Sequence, residues 1–130
     1  MKQSAEVIRK WVRLISDDYM HFTPEQEDYA CQLASVCDFD IMPDGSGVVG
    51  YIIAKDFDCK IKMNVLLFYC RPESRGRSFI PMLRHLEKMA KANGAEKVII
   101  GCSTSGYKEE KFNRILERFG YSNCAYSKRI

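Results

Sequence analysis

No C-x-x-C pair occurs among the six cysteines, Cys31, Cys37, Cys59, Cys70, Cys102 and Cys124, and the only two histidines, His21 and His85, stand far apart. That spacing offers no zinc site, so no metal is expected. Long apolar runs are missing as well. The longest, residues 65–70, is far too short to cross a bilayer, and no membrane association is expected. The first five residues are polar and lead into an amphipathic segment, which is not the pattern of a secretion signal. The cysteines are therefore expected as reduced, mostly buried thiols of a cytoplasmic protein. Charge of one sign is scarce: 20 Lys and Arg against 17 Asp and Glu leave a net charge of +3. This balance does not point to nucleic acid, but it suits an anionic cofactor. Repeats, low-complexity stretches and linkers are absent too. With 46% hydrophobic and 28% charged residues, residues 1–130 read as one domain with its own core.

Residues 4–20 have the pattern of a helix, with Val7, Ile8, Trp11, Val12 and Ile15 on one side and Arg9, Lys10 and Arg13 on the other. Thr23, Pro24 and Gln26 predict a second helix start with a capping box, and Tyr29, Leu33 and Val36 continue its apolar face to about Cys37. The period then changes to two. Phe39 and Ile41 predict a short strand, residues 43–47 a turn, and residues 48–54 a second strand. Ile61, Met63, Val65, Leu67 and Tyr69 alternate along a long third strand, so the three strands should form an antiparallel meander. After the loop 71–78, a helix to Asn93 carries Met82, Leu83, Leu86, Met89 and Ala90 on its apolar face. Strand 97–102 should then lie parallel to the third strand. Phe112, Ile115, Leu116 and Phe119 mark a last helix, and residues 121–130 a final strand, which could pair across a homodimer. The order α-α-β-β-β-α-β-α-β predicts an α/β fold with a mixed, mostly antiparallel sheet flanked by helices.

The loop Arg71-Pro72-Glu73-Ser74-Arg75-Gly76-Arg77-Ser78 joins the long strand to a helix. A helix N-terminus exposes unpaired N–H groups and attracts phosphate. Gly76 lets backbone approach a ligand closely, and Arg75 and Arg77 add donors matched to phosphate oxygens.

The segment 72–78 resembles the acetyl-CoA loop of the GNAT N-acetyltransferases, written P-x-x-R-G-x-G. Residues 82–95 resemble the helix that follows it, residues 44–51 the family's central hairpin, and Glu117-Arg118-Phe119-Gly120-Tyr121 its closing segment. These four segments stand in the family's order between residues 44 and 130. A narrower resemblance is to divergent members encoded by bacteriophages, which would place the protein in the host cytoplasm.

The resemblance implies a cofactor, acetyl-CoA, and a partner, an amine acceptor on a protein or small molecule. It implies pyrophosphate binding by backbone N–H groups of Arg75, Gly76, Arg77, Ser78 and Phe79. The pantetheine arm would pair with the edge of the long strand near Phe68, Tyr69 and Cys70, where that strand and strand 97–102 splay apart.

Three positions differ from the family pattern. Ser78 stands where a glycine is usual, Leu116 where a general-acid tyrosine is usual, and the long strand carries no carboxylate base. Tyr107 is the nearest substitute for the acid by sequence, with Tyr121 and Tyr126 as others; Tyr107 also reads as a wall or surface aromatic. Cys70 and Cys102 read as core thiols, and His85 as a half-buried helix residue. Residues 103–106 read equally as an acceptor wall or a helix cap. The alternative function is a non-catalytic GNAT-fold protein, such as a phage structural or host-interaction component.

Overall fold

The computed structural model describes residues 2–101, 109–122 and 128–130. Helix α1 spans Ala5–Ile15 and starts at Ser4, whose hydroxyl accepts the Val7 N–H at 3.3 Å. It unwinds through a single π-helical turn, Ser16–Met20, that ends at His21 in the left-handed region. Helix α2, Pro24–Val36, opens with the expected capping box. Thr23 Oγ1 accepts the Gln26 N–H at 3.2 Å, and Gln26 Oε1 accepts the Thr23 N–H at 2.9 Å. Strands β1 (Asp38–Ile41), β2 (Gly47–Lys55) and β3 (Ile61–Cys70) form the antiparallel meander. Helix α3 is Phe79–Ala92, β4 is Lys97–Ile100, and α4 is Glu109–Arg118. Strand β4 lies parallel to β3, giving the order β1-β2-β3-β4. The mixed, mostly antiparallel sheet flanked by helices matches the expectation. The strand expected over 121–130 falls partly outside the described residues, and positions 121–122 and 128–130 are not in a strand.

The sheet separates two cores. On one face Ile8, Trp11, Val12 and Ile15 of α1, each 4% exposed, meet Ala34, Phe39, Val48 and Tyr69. On the other, Met82, Leu83 and Leu86 of α3 and Phe112 and Leu116 of α4 meet Val49, Tyr51, Met63 and Phe68.

Two expectations are corrected. The face of α2 bearing Tyr29, Leu33 and Val36 is turned outward, with those residues 67%, 39% and 73% exposed. Helix α2 instead lies on α1 through Ala30, Cys31 and Ala34, whose small side chains allow close approach. Arg9 reaches across to Glu27 at 2.6 Å and Asp28 at 3.0 Å, holding that rotation. The thiols are not mostly buried either. Of the four described, Cys70 is buried, Cys31 and Cys37 are half-buried, and Cys59 is exposed at the tip of the β2–β3 turn. Each of the latter three sits at a helix edge or turn rather than within a paired strand.

Candidate functional site

β3 also departs from simple alternation. Gly50 pairs with Leu67 but Tyr51 pairs with Val65, so Leu66 is an inserted residue, a β-bulge. The bulge reverses the strand's facing. Met63 and Val65 pack on the α3 side, whereas Leu67 and Tyr69 pack on the α1 side. The single apolar face read from Ile61, Met63, Val65, Leu67 and Tyr69 is therefore two half-faces. Parallel pairing with β4 runs from Lys62 opposite Lys97 to Val65 opposite Ile100, and β3 continues to Cys70.

After Cys70 the chain makes a short 3-10 turn, Pro72–Ser74. Arg75 is extended, and Gly76 has φ 97°. A Cβ added at Gly76 would meet nothing within 4 Å, so glycine is needed there for its backbone conformation rather than for space. Ser78 precedes α3 without making a side-chain cap, and the first turn of α3 carries no acidic residue. The first turn of that helix thus supplies no side-chain counter-charge of its own to its positive end. Ser78 itself is buried, 4% exposed, against Cys70. Burial pushes the Cys70 thiol up, and the Ser78 hydroxyl acts in the opposite sense.

The three loop arginines divide into two anchors and one open cation. Arg75 forms an ion pair with Asp18 of the π-turn, and its guanidinium lies 5.7 Å from the centre of the Tyr69 ring. The Tyr69 hydroxyl donates to the same Asp18 Oδ2 at 3.0 Å. Burial first, and then that bond, push the Tyr69 hydroxyl above its ordinary range. Arg71 lies over Trp11 at 4.9 Å. The Nε atoms of Arg71 and Arg75 are buried without a hydrogen-bond partner among the described residues. Arg77 is exposed; it meets Ser74 Oγ at 3.5 Å and acts electrostatically on the Asp44 carboxyl. Asp18 is the residue that sequence reasoning missed: nothing in the local pattern marks a π-turn.

The remaining expected residues sort as follows. Phe68, Phe79 and Phe112 stack at 5.1 to 5.7 Å in the α3-side core. Tyr69 turns to the opposite face against Trp11 and Tyr19. The side chains of Phe68, Tyr69, Cys70 and Phe79 therefore serve packing, leaving their backbone as what they could offer a ligand. Tyr107, Tyr126, Cys102 and residues 103–106 lie outside the described residues. Tyr121 donates to Glu87 at 2.8 Å, away from the loop. His85 is half-buried with Nε2 2.8 Å from Asp40 Oδ2, which also accepts the Tyr51 hydroxyl at 2.6 Å. That cluster ties α3 to β1 and β2.

On the α1–α2 face lies a cavity of about 540 Å³. Its floor includes Gly50, Leu66 and Leu67 at the bulge, and its walls come from Val12 and Ile15 of α1 and Ala30 and Leu33 of α2. Met20 and Phe22, flanking the end of the π-turn, close one side. A second cavity of about 370 Å³ adjoins the loop between the β1–β2 turn and Arg77, Ser78 and Pro81.

No protein-family model and no curated protein matches the sequence. Solved structures do. A putative acetyl transferase from Pyrococcus furiosus is 21% identical, covers 96% of this chain and 91% of its own, and superposes with a TM-score of 0.70. The ribosomal-protein-alanine N-acetyltransferase of Brucella melitensis is 13% identical over 98% of this chain and 95% of its own, also with a TM-score of 0.70. AAC(6')-Iy, solved with the bisubstrate analogue CoA-S-monomethyl-acetylneamine, is 14% identical over 96% of this chain and 93% of its own, with a TM-score of 0.67. Identity this low speaks to architecture alone. The meander, the crossover through α3 to β4 and the helical layers on both faces give this chain the fold of the GNAT acetyltransferases.

Proposed function

We propose that the chain is an acetyl-CoA-dependent N-acetyltransferase that transfers the acetyl group to a primary amine of a protein or a small molecule. The observation that carries this reading is the start of α3. It has no side-chain cap and no acidic first-turn residue, the exposed Arg77 stands beside it, and Gly76 shapes the turn before it. Such an end favours a diphosphate. The residues present therefore fit the cofactor: the Arg77 guanidinium and backbone N–H groups of the loop would hold the pyrophosphate, with the Ser78 N–H, which donates to Ser74 O at 3.1 Å, giving up that bond if it joins them. The Phe68, Tyr69 and Cys70 backbone, past the end of the β4 pairing, would hold the pantetheine arm.

Acetyl-CoA supplies an activated thioester. The protein's contribution is placement: the amine is held over the bulge of β3, and water is kept from the reacting carbonyl by the apolar walls around Leu66. β3 brings no carboxylate to that point, and the amine attacks in its neutral form. Tyr107 remains the proposed acid for the departing thiolate.

A second reading, a non-catalytic GNAT-fold protein, is favoured by the pairing of Arg75 with Asp18, which gives that arginine a structural role. Calorimetric titration with acetyl-CoA separates the two. The catalytic reading expects micromolar binding that weakens at least about tenfold, or about 1.4 kcal/mol, in Arg77→Glu. No binding at millimolar cofactor would leave only the scaffold reading.

A further inference from the structure

We propose that the cavity over the β3 bulge selects an α-amino group carried on an apolar side chain, and rejects lysine-type amines and polycations. The inference deepens the acetyltransferase reading and rests on it. Its first support is the lining. Among the described residues, the walls from α1, α2 and the sheet are apolar apart from Glu25, Gln26, Cys37 and the exposed Tyr29 with its hydroxyl. Gln26 Oε1 already accepts the Thr23 N–H, and the Cys37 thiol donates to Ala34 O at 3.4 Å. No described lysine or arginine lines the cavity, and Glu25 is the single charged residue among its described lining, exposed at the N-terminal end of α2. A polycation needs several buried acceptors, and here one exposed carboxylate is present. An apolar body needs what the walls supply, and about 540 Å³ accommodates an aromatic side chain with its amine.

The second support is proton chemistry. The floor of the cavity includes Gly50, Leu66 and Leu67, with no carboxylate beside them among the described residues to take a proton. An apolar site disfavours the ammonium form, so the neutral amine is what enters. A lysine amine, with an ordinary pKa of about 10.4, is neutral in well under one molecule per thousand at pH 7. An α-amine at about 7.7 to 8.0 is neutral in roughly one molecule in ten. The site thus favours the less basic amine by more than two orders of magnitude in available nucleophile.

The test uses four acceptors: phenylalaninamide, glycinamide, spermidine and a short peptide beginning with phenylalanine. Release of CoA thiol gives kcat/KM with acetyl-CoA. Saturation-transfer NMR gives amine binding without cofactor, and calorimetry gives acetyl-CoA affinity. Phenylalaninamide is expected to exceed glycinamide by about tenfold or more, since the two differ in the apolar body alone. Leu33→Trp, which fills the cavity from a partly exposed position, is expected to raise KM for phenylalaninamide about tenfold while leaving acetyl-CoA affinity unchanged. The peptide distinguishes a protein N-terminus from a free amine as the source of the same chemistry, and activity on either supports the inference. Equal or faster transfer to spermidine or glycinamide overturns it with the acetyltransferase reading intact. So does acetyl-CoA binding without phenylalaninamide binding or turnover. If acetyl-CoA does not bind, the acetyltransferase reading fails, and phenylalaninamide binding that Leu33→Trp weakens about tenfold would still uphold the cavity's ligand class. A second copy of the chain as occupant would appear as concentration-dependent mass doubling in sedimentation, reversed by Leu33→Lys, with no amine bound; that result also overturns the inference.

Discussion

The pairing of Asp18 with Arg75 can be tested by a double-mutant cycle. Asp18→Ala removes the partner of a guanidinium and of the Tyr69 hydroxyl at once. The two charged side chains are 18% and 23% exposed, so the pair is mostly but not wholly withdrawn from water. Arg75 Nε is already buried without a hydrogen-bond partner, and after the substitution more of that guanidinium would be desolvated with nothing opposite it. Fully buried pairs cost about 3 to 5 kcal/mol when one side is removed, whereas exposed ones cost less than about 1. The partial exposure places Asp18→Ala between these, at about 2 to 3 kcal/mol. Arg75→Ala should cost slightly less, because the Tyr69 hydroxyl still donates to the remaining carboxylate. The double variant should be no worse than Asp18→Ala alone, so the coupling energy should match the cost of Arg75→Ala, about 2 kcal/mol. Urea unfolding followed by circular dichroism measures all three, and unchanged m-values would show that the same transition is compared. Additive losses, with coupling under about 0.3 kcal/mol, would refute the claim that this pair fixes the loop to the first helical layer.

Four further outcomes are expected. Gly47→Ala should destabilise by about 3 kcal/mol or more in urea unfolding, because its Cβ would clash with Tyr69 O and stand 2.9 Å from Met82 Sδ. Gly76→Ala, strained only in φ, should cost about 1 kcal/mol in the same urea unfolding. Phe112→Ala should cost about 3 to 5 kcal/mol in denaturant unfolding, since the side chain is 0% exposed and stacked on both Phe68 and Phe79. Tyr51, Tyr69 and Tyr121 have hydroxyls held above the ordinary value of 10.0, chiefly by burial and then by bonds to Asp40, Asp18 and Glu87. Their stabilisation is complete below pH 10 and is lost as pH rises above it, so ultraviolet titration should show these three ionising only together with alkaline unfolding. Free titration of all seven tyrosines near pH 10, with the fold intact by circular dichroism, would contradict that.

Periodicity and capping carried much of the fold. The stripe through Ile8, Trp11, Val12 and Ile15, the Thr23 and Gln26 capping box, and the crossover from β3 to β4 were each legible locally. The outward turn of Tyr29, Leu33 and Val36 was not. Their spacing specifies a shared face but not its direction, which Ala30, Ala34 and the Arg9 ion pairs decide. The bulge at Leu66 was hidden because residues 65–70 are apolar throughout, so a slip of one position leaves the composition unchanged. At the loop, Gly76 and the start of α3 were visible as a possible anion site in the order of residues alone. The division of labour among Arg71, Arg75 and Arg77 was not, because it depends on Trp11 and Asp18, more than fifty residues earlier in the chain.

The inserted residue in β3 also sets how this chain can vary in length. Loops such as the β2–β3 turn can gain or lose residues at small cost, since their ends stay where they are. Deleting Leu66 would likewise keep every later residue on its face, whereas pairing it into the ladder would not. With the hairpin register kept on the Tyr51 side and Leu66 set opposite Gly50, every later residue of β3 would change faces: Phe68 and Cys70 would turn toward Trp11, and Tyr69 toward Met82. Two cores of unlike shape would then exchange side chains, and the hydroxyl that meets Asp18 would be lost among apolar groups. The four positions after the bulge, Leu67 to Cys70, thus form a reading frame in the physical sense. They tolerate substitution residue by residue, but not a shift.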